Sequence, residues 1–315
     1  MMKTKLATAL RTLIAVSVAW AVPISGTAHQ SILQSSSSKI RGTTNPLQVR
    51  FRDARGRGLI VDVWINGAGP FAFALDTGAG VSIIARKVAE RSQLAVRPAR
   101  KTLVGGLSAS SIASNQETTI DAVALGRADN RIGVSLIAAV AADLPMGIDG
   151  ILDPLDISPS GYSIDLPNRQ LEILGGTGQH LSLGAVPDGG AVVRWIRERG
   201  SQRPFVRLGD GRLALLDTGS GFGLAVTQPG QLGGMNHPGR SDAIRDLGGG
   251  IVRSHRVSSA TISIGDLVLR NVPTDVLIGA APDTPTILGR DVLYPFRITF
   301  DPITRLIAIA PAERK

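Results

Sequence analysis

Two short stretches of the chain stop an apolar run abruptly at an acid, a threonine and a glycine. They are Phe71-Ala-Phe-Ala-Leu75-Asp76-Thr77-Gly78-Ala79-Gly80 and Leu213-Ala-Leu-Leu216-Asp217-Thr218-Gly219-Ser220-Gly221. An apolar run closed by glycine reads as a buried strand entering a tight turn. A carboxylate there must be paired, hydrogen-bonded or neutral, because an isolated buried charge is costly. Two such sites in one chain suggest a pair that meets. Facing carboxylates share one proton and titrate as a unit. The charged partner can take a proton from water. The protonated partner can polarise a carbonyl and stabilise the oxyanion that develops on it. Such a pair could hydrolyse an amide without a metal or a covalent intermediate. Asp76 and Asp217 are therefore the candidate catalytic residues. Thr77 and Thr218 follow them directly, with hydroxyls able to bond across an interface. Gly78 and Gly219 keep the turns small and offer amides to the carboxylates. Ser220 can hydrogen-bond the carboxylate beside it.

The elements that position these turns read as β throughout. Gly58–Ile65 is a strand, Asn66-Gly67 a strong hairpin signal, and Phe71–Leu75 the return strand that delivers Asp76. Ala85–Ser92 can form a short helix. Leu103-Val-Gly105-Gly106-Leu107 is a Gly-centred hairpin. Thr118–Leu125 and Ile132–Ile137 are further strands, and Tyr162–Ile173 is a hairpin turning at Pro167-Asn168. A second pass starts at Pro204–Leu208 and turns at Gly209-Asp-Gly211 into the strand before Asp217. Asp246-Leu-Gly248-Gly249-Gly250-Ile-Val252 repeats the Gly-rich hairpin. Ala260–Leu269 and Val272–Ile278 read as strands. Asp76 maps onto Asp217 at an offset of 141, while Asp165 and Arg169 map onto Asp301 and Arg305 at 136. The chain is thus an internal repeat, and two halves packed about a pseudo-dyad would bring one acid from each to the axis.

Composition narrows the chemistry. The 315 residues are enough for two domains, and 43% hydrophobic content with 37 glycines allows a buried core and many turns. There is no cysteine, which excludes disulfides, thiol catalysis and Cys-based metal sites. His29, His180, His237 and His255 are far apart and show no ligand spacing, so no metal and no cofactor are expected. The net charge is +9, but aromatics are only 4% and the arginines are scattered, so the basic surface reads as solvated and no nucleic acid partner is expected. Gly219-x-Gly221-x-Gly223 is one residue short of a dinucleotide loop, and Pro229 soon breaks the helix that should follow. Ser220 lacks the first glycine of a nucleophile elbow.

Residues 1–28 read as an export signal. Lys3, Lys5 and Arg11 precede an apolar run, and Gly26-Thr27-Ala28 is a small-x-small cleavage site. Residues 29–45 form a polar, Ser-rich leader. The two lobes are assigned to residues 46–174 and 191–312, joined by a linker at 175–190.

The paired Asp-Thr-Gly turns, the two Gly-rich hairpins and Ile287-Leu-Gly-Arg-Asp291 resemble the aspartic protease superfamily. Asp76-Thr-Gly-Ala79 and Leu288-Gly-Arg-Asp291 are similar to its retropepsin-like branch, on a two-lobed single chain arranged as in pepsins. The resemblance covers about residues 46–312. It implies an all-β, bilobal fold of two pseudo-twofold-related, barrel-like lobes with the active site between them. It also implies an aspartic endopeptidase whose dyad, Asp76 and Asp217, activates a water. Gly105, Gly106, Gly248, Gly249 and Gly250 would be flap tips closing over an extended peptide or protein substrate. The expected protein is a periplasmic or secreted bacterial monomer with no stable membrane insertion after signal cleavage. The alternative is a non-catalytic peptide binder on the same fold. Three departures stand out. Asp153 occupies the place where the pattern has glycine, Pro154 stands opposite Arg290, and neither Gly-rich hairpin carries a tyrosine.

Overall fold

The computed structural model describes residues 17–19, 47–54, 56–108, 111–175, 180–198, 201–228, 241–246 and 250–313. These residues are almost entirely β, with three short α-helices at Arg86–Arg91, Pro154–Ile157 and Arg290–Leu293. The strands form three sheets of eleven, six and seven strands. The eleven-stranded sheet is built from the first half of the chain and the seven-stranded sheet from the second, so each half makes one lobe.

Local chemistry explains the hairpins. Asn66 and Gly67 both take positive φ, at 50° and 80°, as a two-residue turn between Gly58–Ile65 and Ala68–Leu75 requires. Asp165 and Asp301 act as turn formers. Asp165 Oδ1 accepts from Asn168 N at 3.0 Å, and Asp301 Oδ1 accepts from Ile303 N at 2.9 Å. Three strand expectations are corrected. Thr118–Leu125 breaks between Ile120 and Val123, and Ile132–Ile137 breaks between Ile132 and Leu136. Ala260–Leu269 is two strand ends rather than one strand, because the chain reverses at Gly265 (φ 57°) to pair Ile251–Ile264 with Leu267–Ile278. The apolar alternation continues through the turn and hides it.

The six-stranded sheet belongs to neither half alone. Its order is Ala191–Arg194, Leu306–Pro311, Phe296–Asp301, Tyr162–Asp165, Gln170–Ile173 and Leu47–Arg50. Three strands come from each half. They meet where Tyr162 pairs with Phe300 and Ile164 with Ile298 in antiparallel register. Tyr162 stacks on Phe300 at 4.7 Å between ring centroids, and Trp195 meets Phe300 edge-on at 5.9 Å. Burying rings of this size contributes on the order of 2 kcal/mol each, so the seam is a core. Ser17–Ala19, inside the apolar run of the expected export signal, pairs with Leu103–Gly105. The rest of residues 1–28 and the leader lie outside the described residues.

Candidate active site

Each aspartate leaves the end of a central strand. Ala68–Leu75 and Leu213–Leu216 are flanked on one side by parallel strands that enter from far along the chain, Gly150–Leu152 and Thr286–Leu288. Those strands capture the first amide of each turn. Asp76 N donates to Leu152 O at 3.0 Å, and Asp217 N donates to Leu288 O at 2.9 Å. Leu75 and Leu216 are fully buried just before the acids, so the carboxylates emerge inside the protein.

The threonines interlock the two turns. Thr77 N donates to Thr218 Oγ1 and Thr218 N donates to Thr77 Oγ1, both at 3.1 Å. Each hydroxyl then donates to a carbonyl of the opposite strand, Thr77 to Leu216 O at 2.7 Å and Thr218 to Leu75 O at 3.3 Å. A hydroxyl can donate one hydrogen bond while accepting another, so each is used in both directions. The glycines let the turns close on each other. A Cβ on Gly219 would lie 2.4 Å from Asp76 Oδ2, and one on Gly78 would lie 2.8 Å from Asp217 Cγ. Each carboxylate therefore packs against the backbone of the other motif.

Both carboxyls are fully buried. Asp76 Oδ1 accepts from Gly78 N at 2.7 Å, and Asp217 Oδ1 accepts from Ser220 N at 3.0 Å. The second oxygen of each is buried and accepts from no amide, hydroxyl or guanidinium of the described residues. Burial and then the negative charge of Asp217 raise Asp76 well above the usual carboxylate range. Burial also raises Asp217, to about 6, against lowering first by a hydrogen bond with the Asp76 carboxyl, then by the Ser220 and Gly219 amides and the positive charge of Arg290. Burial and mutual repulsion thus favour one proton shared by the pair.

The turns are buttressed differently. Arg290 Nη1 donates to Thr218 O at 2.8 Å and Gly219 O at 3.2 Å. In the first lobe Asp153 caps the helix Pro154–Ile157 by accepting from Leu155 N at 3.0 Å, and Asp156 Oδ2 accepts from Ser82 N at 2.8 Å. The acid in place of glycine is therefore a helix cap. Burial and the neighbouring Asp156 push it up to about 8.

The first Gly-rich hairpin reaches across to the second lobe. Gly105 ends the strand Val96–Gly105, and Gly106 and Leu107 are buried. Leu107 packs among Phe222, Ile244, Val252, Leu277 and Ile287 of the other lobe. Its carbonyl accepts from Ala281 N at 2.8 Å and from Thr284 Oγ1 at 3.2 Å. Ser108 N donates to Asp246 Oδ2 at 2.7 Å, while Gly250 N donates to Asp246 Oδ1 at 2.9 Å. Gly248 and Gly249 lie outside the described residues. Sequence reasoning missed Leu107, Ser108 and Asp246 as cross-lobe contacts. A signal existed, since the second Gly-rich stretch opens with an acid where the first has Leu103.

Residues 61–152 match a family model described as aspartyl protease. The match runs from the strand before the Asn66-Gly67 turn, through Asp76 and the first hairpin, to Leu152. It covers most of the first lobe and stops short of Asp217. No curated protein matches the chain.

Proposed function

We propose that the protein is an aspartic endopeptidase that cuts an extended peptide between its two lobes. The observation that carries this reading is the reciprocal threonine interlock, which holds two fully buried carboxyls against each other's turns. The aspartyl protease match to the first lobe supports it.

In the proposed reaction Asp217, charged, removes a proton from a water as that water attacks the peptide carbonyl. Asp76, protonated, donates a hydrogen bond and then its proton to the carbonyl oxygen, giving a neutral tetrahedral diol. The proton on Asp217 passes to the amide nitrogen as the C–N bond breaks. Asp76 recovers its proton from the collapsing diol, and the dyad returns to its starting state. The Gly106–Ser108 segment acts as a flap that lifts to admit substrate and reseats over it. The basic start, apolar run and small-x-small site of residues 1–28 support export to the periplasm or exterior, with the endopeptidase acting as a monomer.

The test is digestion of casein and a peptide library across pH, read by mass spectrometry, with the Asp76→Asn and Asp217→Asn variants beside the wild type. Cleavage lost in both variants upholds the reading. Peptide binding without cleavage by the wild type would replace it with a peptide-binding role.

A further inference from the structure

We infer that Arg203 is a carboxylate-binding subsite of the cleft, selecting peptides that present an acidic side chain or a free C-terminal carboxylate close to the scissile bond. The inference rests on the peptidase reading and narrows its substrate class.

Arg203 stands just before Phe205–Arg207, the strand that opens the second lobe's sheet. Its backbone is pinned, because Trp195 Nε1 donates to Arg203 O at 3.1 Å. Its side chain crosses the seam between the lobes. A Cβ on Gly80 would meet Arg203 Cγ at 3.2 Å and Cδ at 3.5 Å, so the arginine stem lies over the turn that carries Asp76. Gly80 holds φ at 72°, a conformation that side chains disfavour, and this place opposite the arginine therefore stays bare.

The guanidinium is incompletely satisfied. Nε donates to Ser201 Oγ at 3.1 Å, and the group lies over the Phe205 ring at 5.4 Å. The residue is only 6% exposed, yet among the described residues Nη1 has no hydrogen-bond partner and no carboxylate lies within ion-pair distance. An arginine cannot shed its proton to escape this cost, and a buried unpaired donor is expensive. Asp217, Asp283, Asp76 and Glu198 act on its charge from a distance, which places it in the field of the dyad itself. The Ser201 and Phe205 contacts hold the planar fork in place, and no described residue closes it. A carboxylate is the group whose two oxygens match that fork. An arriving peptide can bring one to the seam when the flap lifts. Binding then removes a standing penalty of the free protein.

The experiment uses the full chain and paired peptides. Members of a pair differ only in Glu against Gln at one position near the scissile bond, or in a C-terminal acid against an amide. Wild type should favour the carboxylate member of at least one pair by about tenfold in kcat/KM, the worth of one charge-assisted contact. Arg203→Gln should bring that ratio to about one, and Arg203→Lys should retain part of it. A purely structural role would slow both members together and leave the ratio standing, which overturns the inference. Wild-type ratios near one for every pair overturn it without any variant. Preference within the Glu/Gln pairs identifies a side chain as the ligand, and preference within the acid/amide pair identifies a chain end. If no peptide is cut, the peptidase reading falls. Calorimetric binding of the same pairs to wild type and Arg203→Gln still decides this inference by the same ratio.

Discussion

Leu152-Asp153-Pro154 in the first lobe and Leu288-Gly289-Arg290 in the second occupy the same place beside their catalytic turns, and they carry opposite chemistry. In the second lobe a cation reaches back to the Thr218 and Gly219 carbonyls and lies close enough to lower Asp217. In the first lobe two carboxyls bind backbone amides instead, and the Asp153 charge contributes to raising Asp76. The threonine interlock is symmetric while its surroundings are not. The two sides thus share the geometry of the interlock and differ in the electrostatics around it. In the proposed reaction that difference sets the acid role on the side lined by acids and the base role on the side lined by a cation.

The largest effect tests whether the two sides remain chemically indispensable. Asp76→Asn and Asp217→Asn should each lower kcat by about a thousandfold or more, measured on a single cleaved peptide. Substantial activity in either would break the idea of a shared proton. Next comes the symmetric part. Thr77→Val and Thr218→Val should destabilise the fold by similar amounts, roughly 3 kcal/mol each, since each strands an amide and a carbonyl across the seam. Urea unfolding compares them, and clearly unequal losses would show that the interlock leans on one lobe.

The asymmetric part is sharpened by pH. With Asp217 at about 6 and Asp76 well above the usual range, kcat/KM should rise as pH climbs through about 6 and fall only as the pair gives up its last proton. Arg290→Gln should move the rising limb upward. Asp153→Asn should move the falling limb downward and leave the rising limb in place. Asp153 also bears on stability. Its folded pKa, about 8, exceeds its unfolded value, so the folded state binds more protons and stability falls as pH rises through that window. The Tm of Asp153→Asn relative to wild type should therefore increase between pH 5 and pH 8, while asparagine still caps the helix. The smallest effect concerns the flap. Asp246→Ala removes the acceptor for the Ser108 and Gly250 amides and should speed hydrogen exchange at residues 106–108 by about tenfold.

Much of this was legible in the sequence because it is local. The Asn66-Gly67 turn, the Asp165 and Asp301 turns and the two strand-to-acid junctions each follow from a few adjacent residues. The facing of Asp76 and Asp217 was inferred from repetition, and the mutual packing of Gly78 and Gly219 gives that inference its geometry. What stayed hidden is long-range. Nothing in Tyr162–Asp165 announces that it will pair with Phe296–Asp301 rather than stay within its own half. Arg203 looks like any scattered arginine until Gly80 arrives beneath it from the other lobe. Leu107 reads as an ordinary hairpin residue, since the apolar surface that receives it lies well over a hundred residues away.

The shared six-stranded sheet has a consequence for working concentration. A catalytic centre assembled from separate identical chains falls apart on dilution, because each contributes one acid and association is second order. Here the Tyr162–Asp165 and Phe296–Asp301 strands are covalently part of one molecule and hydrogen-bonded side by side. Rate per molecule of the proposed peptidase should therefore stay constant however dilute the sample.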